Sequence, residues 1–418
     1  MKKLFSKLII LIIIFLSYST AWQQDLWKTF TIDDGLAHNM VNTICEAGDE
    51  AMWFGTDGGG VSRYLNETWT TFTANDGLAY NIVNAITETN DGALWFGTYG
   101  GASCYQDGSW TTFTTVDGLV DNRVNAICAA SDGTLWLGTD SGVNRYIEEI
   151  WQTFTTSDGL ADNRVNVIYE TGDGALWFGT ENGVSRYRNE IWTNFTTADG
   201  LVNNAVYAIC DSSTNSLWFG TRAGVSRYYA EIWTTFTKDD GLVDNWIFSI
   251  CESWDGAMWF GTRAGVNKYY KSEWSTITEA DELAYNWVKS IVESGDKALW
   301  FGTYGGGVSR YNNNQSNVVP HDSNFPQAFE LFQNFPNPFN AQTVISYQLA
   351  VSGKVVLKIY DVLGQDVRTL VNENQAVGYH SVVWDGKNDL GEGVSSGVYI
   401  LRIRADNLSQ SINLIYLM

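Results

Sequence analysis

A tryptophan that returns every 41 or 42 residues constrains this chain more than any other feature. The pattern Trp-x-x-Phe-Thr, or a close variant, opens at Trp27, Trp69, Trp110, Trp151, Trp192, Trp233 and Trp274. A second tryptophan, in a Trp-Phe-Gly-Thr string, keeps the same intervals at Trp53, Trp95, Trp136, Trp177, Trp218, Trp259 and Trp300. Seven copies of so short a unit call for an architecture built by repetition. Within one unit, the aromatic segment at Trp69 leads to Asp76-Gly77-Leu78 and Asn81, then to an apolar run over 82–88. A turn at Asn90-Asp91-Gly92, a run from Ala93 to Thr98, a glycine pair and a stretch ending at Tyr105 complete it. That order reads as four short strands, with the Asp-Gly turn as a hairpin signal. Four strands in about 40 residues is the length of one propeller blade.

Leu94, Trp95 and Phe96 are consecutive and apolar, so both faces of their strand are expected to be buried. Trp69 and Phe72 are three apart and point to opposite faces of an extended segment. A sheet held between two neighbours needs two buried faces. The first unit begins with an outer-strand pattern at 27–32 and lacks the three strands that should precede it. The last, over 287–311, has three strands and no outer one. The segment 27–32 is therefore predicted to complete the sheet formed by 287–312, joining a seven-bladed β-propeller by its N-terminal strand. The strings Asp-Gly-Leu-x-x-Asn, Leu-Trp-Phe-Gly-Thr and Gly-Val-Ser-Arg-Tyr resemble the two-component regulator propeller repeat over about 27–312. That family supplies the extracellular sensor propellers of bacterial hybrid histidine kinases. The resemblance implies the fold, and signalling by this chain itself is not expected.

The period stops near residue 312. All 4 prolines lie between Pro320 and Pro338, and 313–328 reads as a polar linker. Alternating stretches at 343–349, 353–360, 366–371, 378–384, 397–404 and 410–416 predict a small antiparallel β-sandwich. Its motifs are Asn334-Phe335-Pro336-Asn337-Pro338-Phe339-Asn340, Tyr360-Asp361-Val362-Leu363-Gly364, Trp384-Asp385-Gly386 and Ser396-Gly397-Val398-Tyr399. They resemble type IX secretion C-terminal sorting domains, and equally the Ig-like fold of flagellar hook-capping proteins. The resemblance implies the type IX secretion machinery as a partner. It also implies a protein secreted from, or held on the outer surface of, a Gram-negative bacterium. One departure is the terminus, Leu414 to Met418, which lacks the late basic residue such tags often carry.

At the other end, Lys2, Lys3 and Lys7, an apolar run over 8–16 and Ser19-Thr20-Ala21 read as a signal peptide. The run is too short to cross a bilayer, so no stable membrane span is expected. The predicted division is a signal peptide at 1–21, an all-β propeller at 22–312, a linker at 313–328 and an Ig-like β-sandwich at 329–418.

A net charge of -22 repels nucleic acid and excludes it as a partner class. Cys45, Cys128, Cys210 and Cys251 fall on corresponding strands of separate blades, too far apart for disulfides, and are expected to be free and buried. Arg63, Arg145, Arg186, Arg227, Lys268 and Arg310 share one position, broken only by Cys104. Such even repetition predicts one structural bond made in every blade but that of Cys104.

Subtracting what all units share leaves variable positions on two loop sets that emerge on one face. Aromatics collect in units six, seven, one and two: Trp246, Tyr285, Trp287, Tyr304, Tyr80 and Tyr99. Charges collect in units three to six: Arg123, Arg164, Asp121, Asp162, Arg222 and Arg263. The aromatics and arginines are the candidate ligand-binding residues, and their chemistry suits a glycan or a peptide. Two alternatives stand beside this reading. One is a lyase or hydrolase on the same face; the other is a structural or adhesive surface protein. Streptogramin-lyase-like propellers carry similar Trp-Phe strings, but their chemistry needs a histidine base. Here His38 is alone on the propeller, with His321 in the linker and His380 in the sandwich. No catalytic residue, metal or cofactor is assigned.

Overall fold

The computed structural model describes residues 26–312 and 329–417, apart from 335–336, 341, 350, 377 and 406–407. The signal peptide assigned to 1–21 and the linker assigned to 313–328 lie outside the described residues. Each repeat folds into a four-stranded antiparallel sheet, and blade one takes Val41–Glu46, Met52–Thr56, Val61–Leu65 and Thr68–Phe72 from inside to outside. Six more sheets follow the same plan. In the seventh, Val288–Glu293, Ala298–Thr303 and Val308–Asn312 are completed by Trp27–Phe30, with Trp27 opposite Tyr311 and Phe30 opposite Val308. This is the pairing expected from the unit count. The strand ends at Phe30, two residues early, because Thr31 caps a 3-10 turn over Ile32–Asp34: its backbone N–H donates to Asp34 Oδ2 at 2.8 Å.

Aromatic packing joins blade to blade. Trp53 and Phe72 of blade one meet Phe96, Tyr105 and Trp110 of blade two with ring centroids 5.5–5.9 Å apart. The same group forms across the chain ends: Phe30 and Trp300 of blade seven meet Phe54, Tyr64 and Trp69 of blade one at 5.2–6.1 Å. Trp69 and Phe72 thus serve opposite faces, as their spacing requires. The glycine of each Trp-Phe-Gly-Thr string lets the blades approach. A Cβ at Gly55 would lie 2.8 Å from Val83 of the next blade, and one at Gly302 would lie 2.9 Å from Val41.

A glutamate at the end of an inner strand also stitches neighbours. Glu88 accepts the Gly48 backbone N–H at 2.6 Å, and Glu46 of blade one accepts that of Gly295 in blade seven at 2.8 Å.

The cationic series has a common bond of a particular kind. Each member lies over the tryptophan directly opposite on the second strand: Arg63 over Trp53 at 5.8 Å, Lys268 over Trp259 at 5.0 Å, Arg310 over Trp300 at 5.5 Å. Arg145, Arg186 and Arg227 do the same. Cys104 stands opposite Trp95 with no cation to offer. All five cysteines are free thiols.

Residues 330–416 form two facing sheets. Glu330–Leu331, Thr343–Leu349 and Gly378–Trp384 make one; Gly353–Tyr360, Asp366–Gln375, Gly397–Ala405 and Leu408–Tyr416 make the other. Ile345, Tyr347, Leu357, Trp384, Leu401 and Ile403 fill the space between. The strand from Asp366 runs four residues past its sequence-based end. Its last members, Asn372 to Gln375, are polar and carry no alternation, yet pair with 353–356. Among the described residues no helix is long and apolar enough to cross a membrane.

Candidate functional site

The Asp-Gly-Leu-x-x-Asn motif is a positioning device. In blade six, Thr237 N–H donates to Asp240 Oδ2 at 2.8 Å, and Lys238 N–H donates to Asn245 Oδ1 at 2.8 Å. This fixes where the chain enters the inner strand, so the residue after the asparagine always stands at the same mouth of the ring. The next residue is buried. The one after it is the extra residue of a β-bulge, present in every blade, which re-aims its side chain.

In blades one to four the bulge residue is an asparagine that bonds the neighbouring inner strand. Asn42, Asn84, Asn125 and Asn166 donate from Nδ2 to the carbonyls of Val83, Val124, Val165 and Val206 at 3.0–3.2 Å. Blades five, six and seven break this series with Tyr207, Phe248 and Lys289. These three meet the loop residues in one continuous patch. Trp246 stacks on Phe248 at 5.3 Å; Phe248 meets Trp287 at 5.7 Å; Trp287 meets Tyr304 at 4.5 Å. Tyr207 reaches Trp246 at 6.0 Å. Cations lie over these rings: Arg222 and Arg263 over Trp246 at 4.9 and 4.8 Å, Lys289 over Phe248 at 5.3 Å. The indole N–H groups of Trp246 and Trp287 are buried and without a hydrogen-bond partner.

Beside the patch runs an arc of alternating charge. Arg123 pairs with Asp140 at 3.4 Å, Asp140 with Arg164 at 3.4 Å, Arg164 with Glu181 at 3.8 Å, and Glu181 with Arg222 at 3.6 Å. Tyr207 bridges the two regions: its hydroxyl donates to Glu181 at 3.2 Å and accepts from Arg222. Burial and then the Glu181 charge hold its pKa above the ordinary tyrosine range.

The structure therefore brings Arg222, Trp246, Arg263, Trp287 and Tyr304 together, and ties Arg123 and Arg164 to them through acids. Tyr99 lies against Arg123, whose guanidinium is 4.2 Å from its ring. Tyr80 and Tyr285 are 48% and 42% exposed and pack beside Gly100 and Gly306 of their own blades. The aromatic sector thus spans blades five to seven, whereas the sequence placed it in units six, seven, one and two. Asp121 and Asp162 are engaged elsewhere, accepting the backbone N–H of Arg123 and Arg164 at 2.8 Å. His38 does the same for Met40, its Nδ1 accepting at 3.1 Å.

Comparison with known proteins agrees with this plan. Residues 77–100, 118–141, 159–182 and 200–223 match the profile of the two component regulator propeller. These four stretches are similar to the two component regulator propeller repeat. Residues 339–409 match the FlgD Ig-like domain, which leaves the sandwich Ig-like and no more specific than that. The chain also aligns with the extracellular domain of BT3049 from B. thetaiotaomicron, which is described as belonging to a hybrid two component system. Identity is 19% and TM-score 0.63, covering 94% of this chain and 57% of that one. PorZ, a surface component of the type-IX secretion system of Porphyromonas gingivalis, aligns at 16% identity and TM-score 0.54, covering 92% and 60%. Virginiamycin B lyase from Staphylococcus aureus aligns at 15% identity and TM-score 0.56, covering 68% and 98%. At these identities the likeness is one of fold. The chain spans 57% and 60% of the BT3049 and PorZ structures. No curated protein matches.

Tyr207, Phe248 and Lys289 escape a reading confined to loops, because they lie within apolar inner strands. Their signal is the broken dipeptide. Val-Asn opens the inner strand in four repeats and becomes Val206-Tyr207, Ile247-Phe248 and Val288-Lys289 in three.

Proposed function

We propose that this chain is an exported, non-enzymatic propeller that binds a glycan or peptide at the mouth formed by blades five to seven. The observation that carries the reading is the local loss of the asparagine series. Four blades spend the bulge position on a bond to the next strand; three consecutive blades use it to extend a patch of rings and cations. Rings that offer flat faces, with buried donors unmatched among them, suit recognition by stacking and hydrogen bonding. Glycan and peptide arrays probed with the purified protein test this. Trp246→Ala, Trp287→Ala and Arg263→Ala are expected to remove the binding while circular dichroism stays unchanged. Retained affinity in all three overturns the site.

The sandwich serves, in this proposal, as a type IX sorting domain delivering the propeller to the outer surface of a Gram-negative bacterium. Support comes from its sequence motifs and from the shared fold with PorZ. Unaltered export after deletion of 329–418 overturns that part alone. The likeness to virginiamycin B lyase keeps a lyase as the second reading. It is disfavoured by His38, the single histidine of the propeller, whose Nδ1 is occupied by the turn it caps.

A further inference from the structure

We infer that the mouth sector takes a short carbohydrate bearing a carboxylate, its acid held by Arg263 and Lys289 and its sugar faces laid on Trp246, Phe248 and Trp287. The inference rests on the mouth being a binding site and adds the charge of what binds there. Three of the arginines around the mouth are already matched, since Arg123, Arg164 and Arg222 share Asp140 and Glu181. Arg263 is different. Among the described residues it has no ion pair, and its guanidinium lies between two indole faces, 4.8 Å from Trp246 and 5.6 Å from Trp287. The acid of its own blade, Asp244, accepts the Trp246 backbone N–H at 2.8 Å. Lys289 lies over Phe248 and Tyr304 and likewise forms no ion pair among the described residues. Burial lowers its pKa, against the pull of Asp57.

Lys289 is half-buried with no ion pair among the described residues, which is costly, and a bound acid would relieve that cost. Arg263 is exposed and stands open to the same acid. The unmatched groups are two cations and two buried indole N–H donors. None of the four accepts a hydrogen bond, so the ligand must bring the acceptors. A carboxylate beside ring hydroxyls supplies them, and the apolar C–H face of a sugar ring matches the half-buried aromatic rings. Size follows from the whole-chain charge. At -22, the protein repels a long polyanion, while a single acid entering a local cationic sector escapes most of that field within a Debye length.

Isothermal titration of the full chain with a glucuronic-acid-terminated disaccharide and its glucose-terminated counterpart tests the inference. The acidic sugar is expected to bind about 10-fold more tightly or better, the scale of one charge-assisted contact. Lys289→Asn, which installs the residue of four other blades, and Arg263→Gln should each reduce that preference by weakening the acidic sugar more than the neutral one. Trp246→Ala should weaken both sugars. Equal affinity for the two sugars, or a preference unaltered in both charge variants, overturns the acid assignment and leaves the mouth a neutral-ligand site. Binding of neither sugar overturns the acid assignment. Binding untouched by Trp246→Ala overturns the mouth reading with it.

Discussion

Glu293 accepts the backbone N–H of Trp254 at 2.8 Å through Oε2, while Oε1 is buried without a partner. Burial pushes its pKa up to about 7. The folded value lies above the unfolded one, near 4.3, so between these the folded state holds more protons and stability falls as pH rises. Glu293→Gln is expected to flatten that fall. Melting temperatures of the two proteins should converge below about pH 4.3 and separate by pH 7, with the variant the more stable. Glu46 and Glu252 are shifted in the same direction and keep the remaining slope. The thiols form a second group with a shared origin. Burial raises Cys45, Cys128 and Cys251 to about 12, and Cys104 to about 11. At pH 8 a disulfide reagent should therefore label the native protein slowly, with all 5 cysteines reacting in guanidinium. Rapid labelling of the native protein would contradict this placement. That Cys45, Cys128, Cys210 and Cys251 are free and share one environment was legible in the sequence, because a repeat position inherits the environment of its strand; they are half-buried rather than, as expected, fully buried. The behaviour of Glu293 was not legible, since it depends on a neighbouring blade's turn.

At the scale of the strand, the repeat states its own packing rules. The second-strand glycine is one: Gly55→Ala would press a methyl to within 2.6 Å of Thr43 and 2.8 Å of Val83. Overpacking of this kind costs about 1–3 kcal/mol, to be read as a lower guanidinium midpoint with an unchanged slope. The cationic position is another. Cys104→Arg would place a guanidinium over Trp95 and near Asp91, as Arg63 sits over Trp53 and pairs with Asp49 at 2.6 Å. A gain of about 1 kcal/mol is expected, the sum of a cation–π contact and an exposed ion pair. No gain would mean that blade two has repacked around its cysteine. The sequence predicted that blade two lacks the shared bond. It did not say that the bond is to a ring, because the cross-strand partner emerges only when strands pair in register.

The whole ring depends on a contact between residues nearly the full propeller apart. Trp27 meets Tyr311 at 4.6 Å and Phe301 at 5.6 Å, so the first strand carries the same aromatic load as the outer strand of any blade. Trp27 is half-buried, so Trp27→Ala should cost somewhat less than the about 3–5 kcal/mol of a core tryptophan truncation, measured by chemical denaturation of the full chain. A loss much below that of Trp110→Ala would show that the N-terminal strand contributes little to the ring.

The number of blades, the order of strands within each and the outer strand taken by the last sheet were legible in the sequence. Each follows from a local period and from the count of what the first and last units lack. The candidate site divides differently. Trp246, Trp287, Arg222, Arg263 and Tyr304 could be found by comparing loops. Their union with Tyr207, Phe248 and Lys289, and the pairing that leaves Arg263 unmatched, belong to the tertiary structure. A repeat fixes each blade's register against itself. Contacts at the mouth run around the ring between blades, where a one-residue bulge decides which side chain turns inward, and no linear spacing records that.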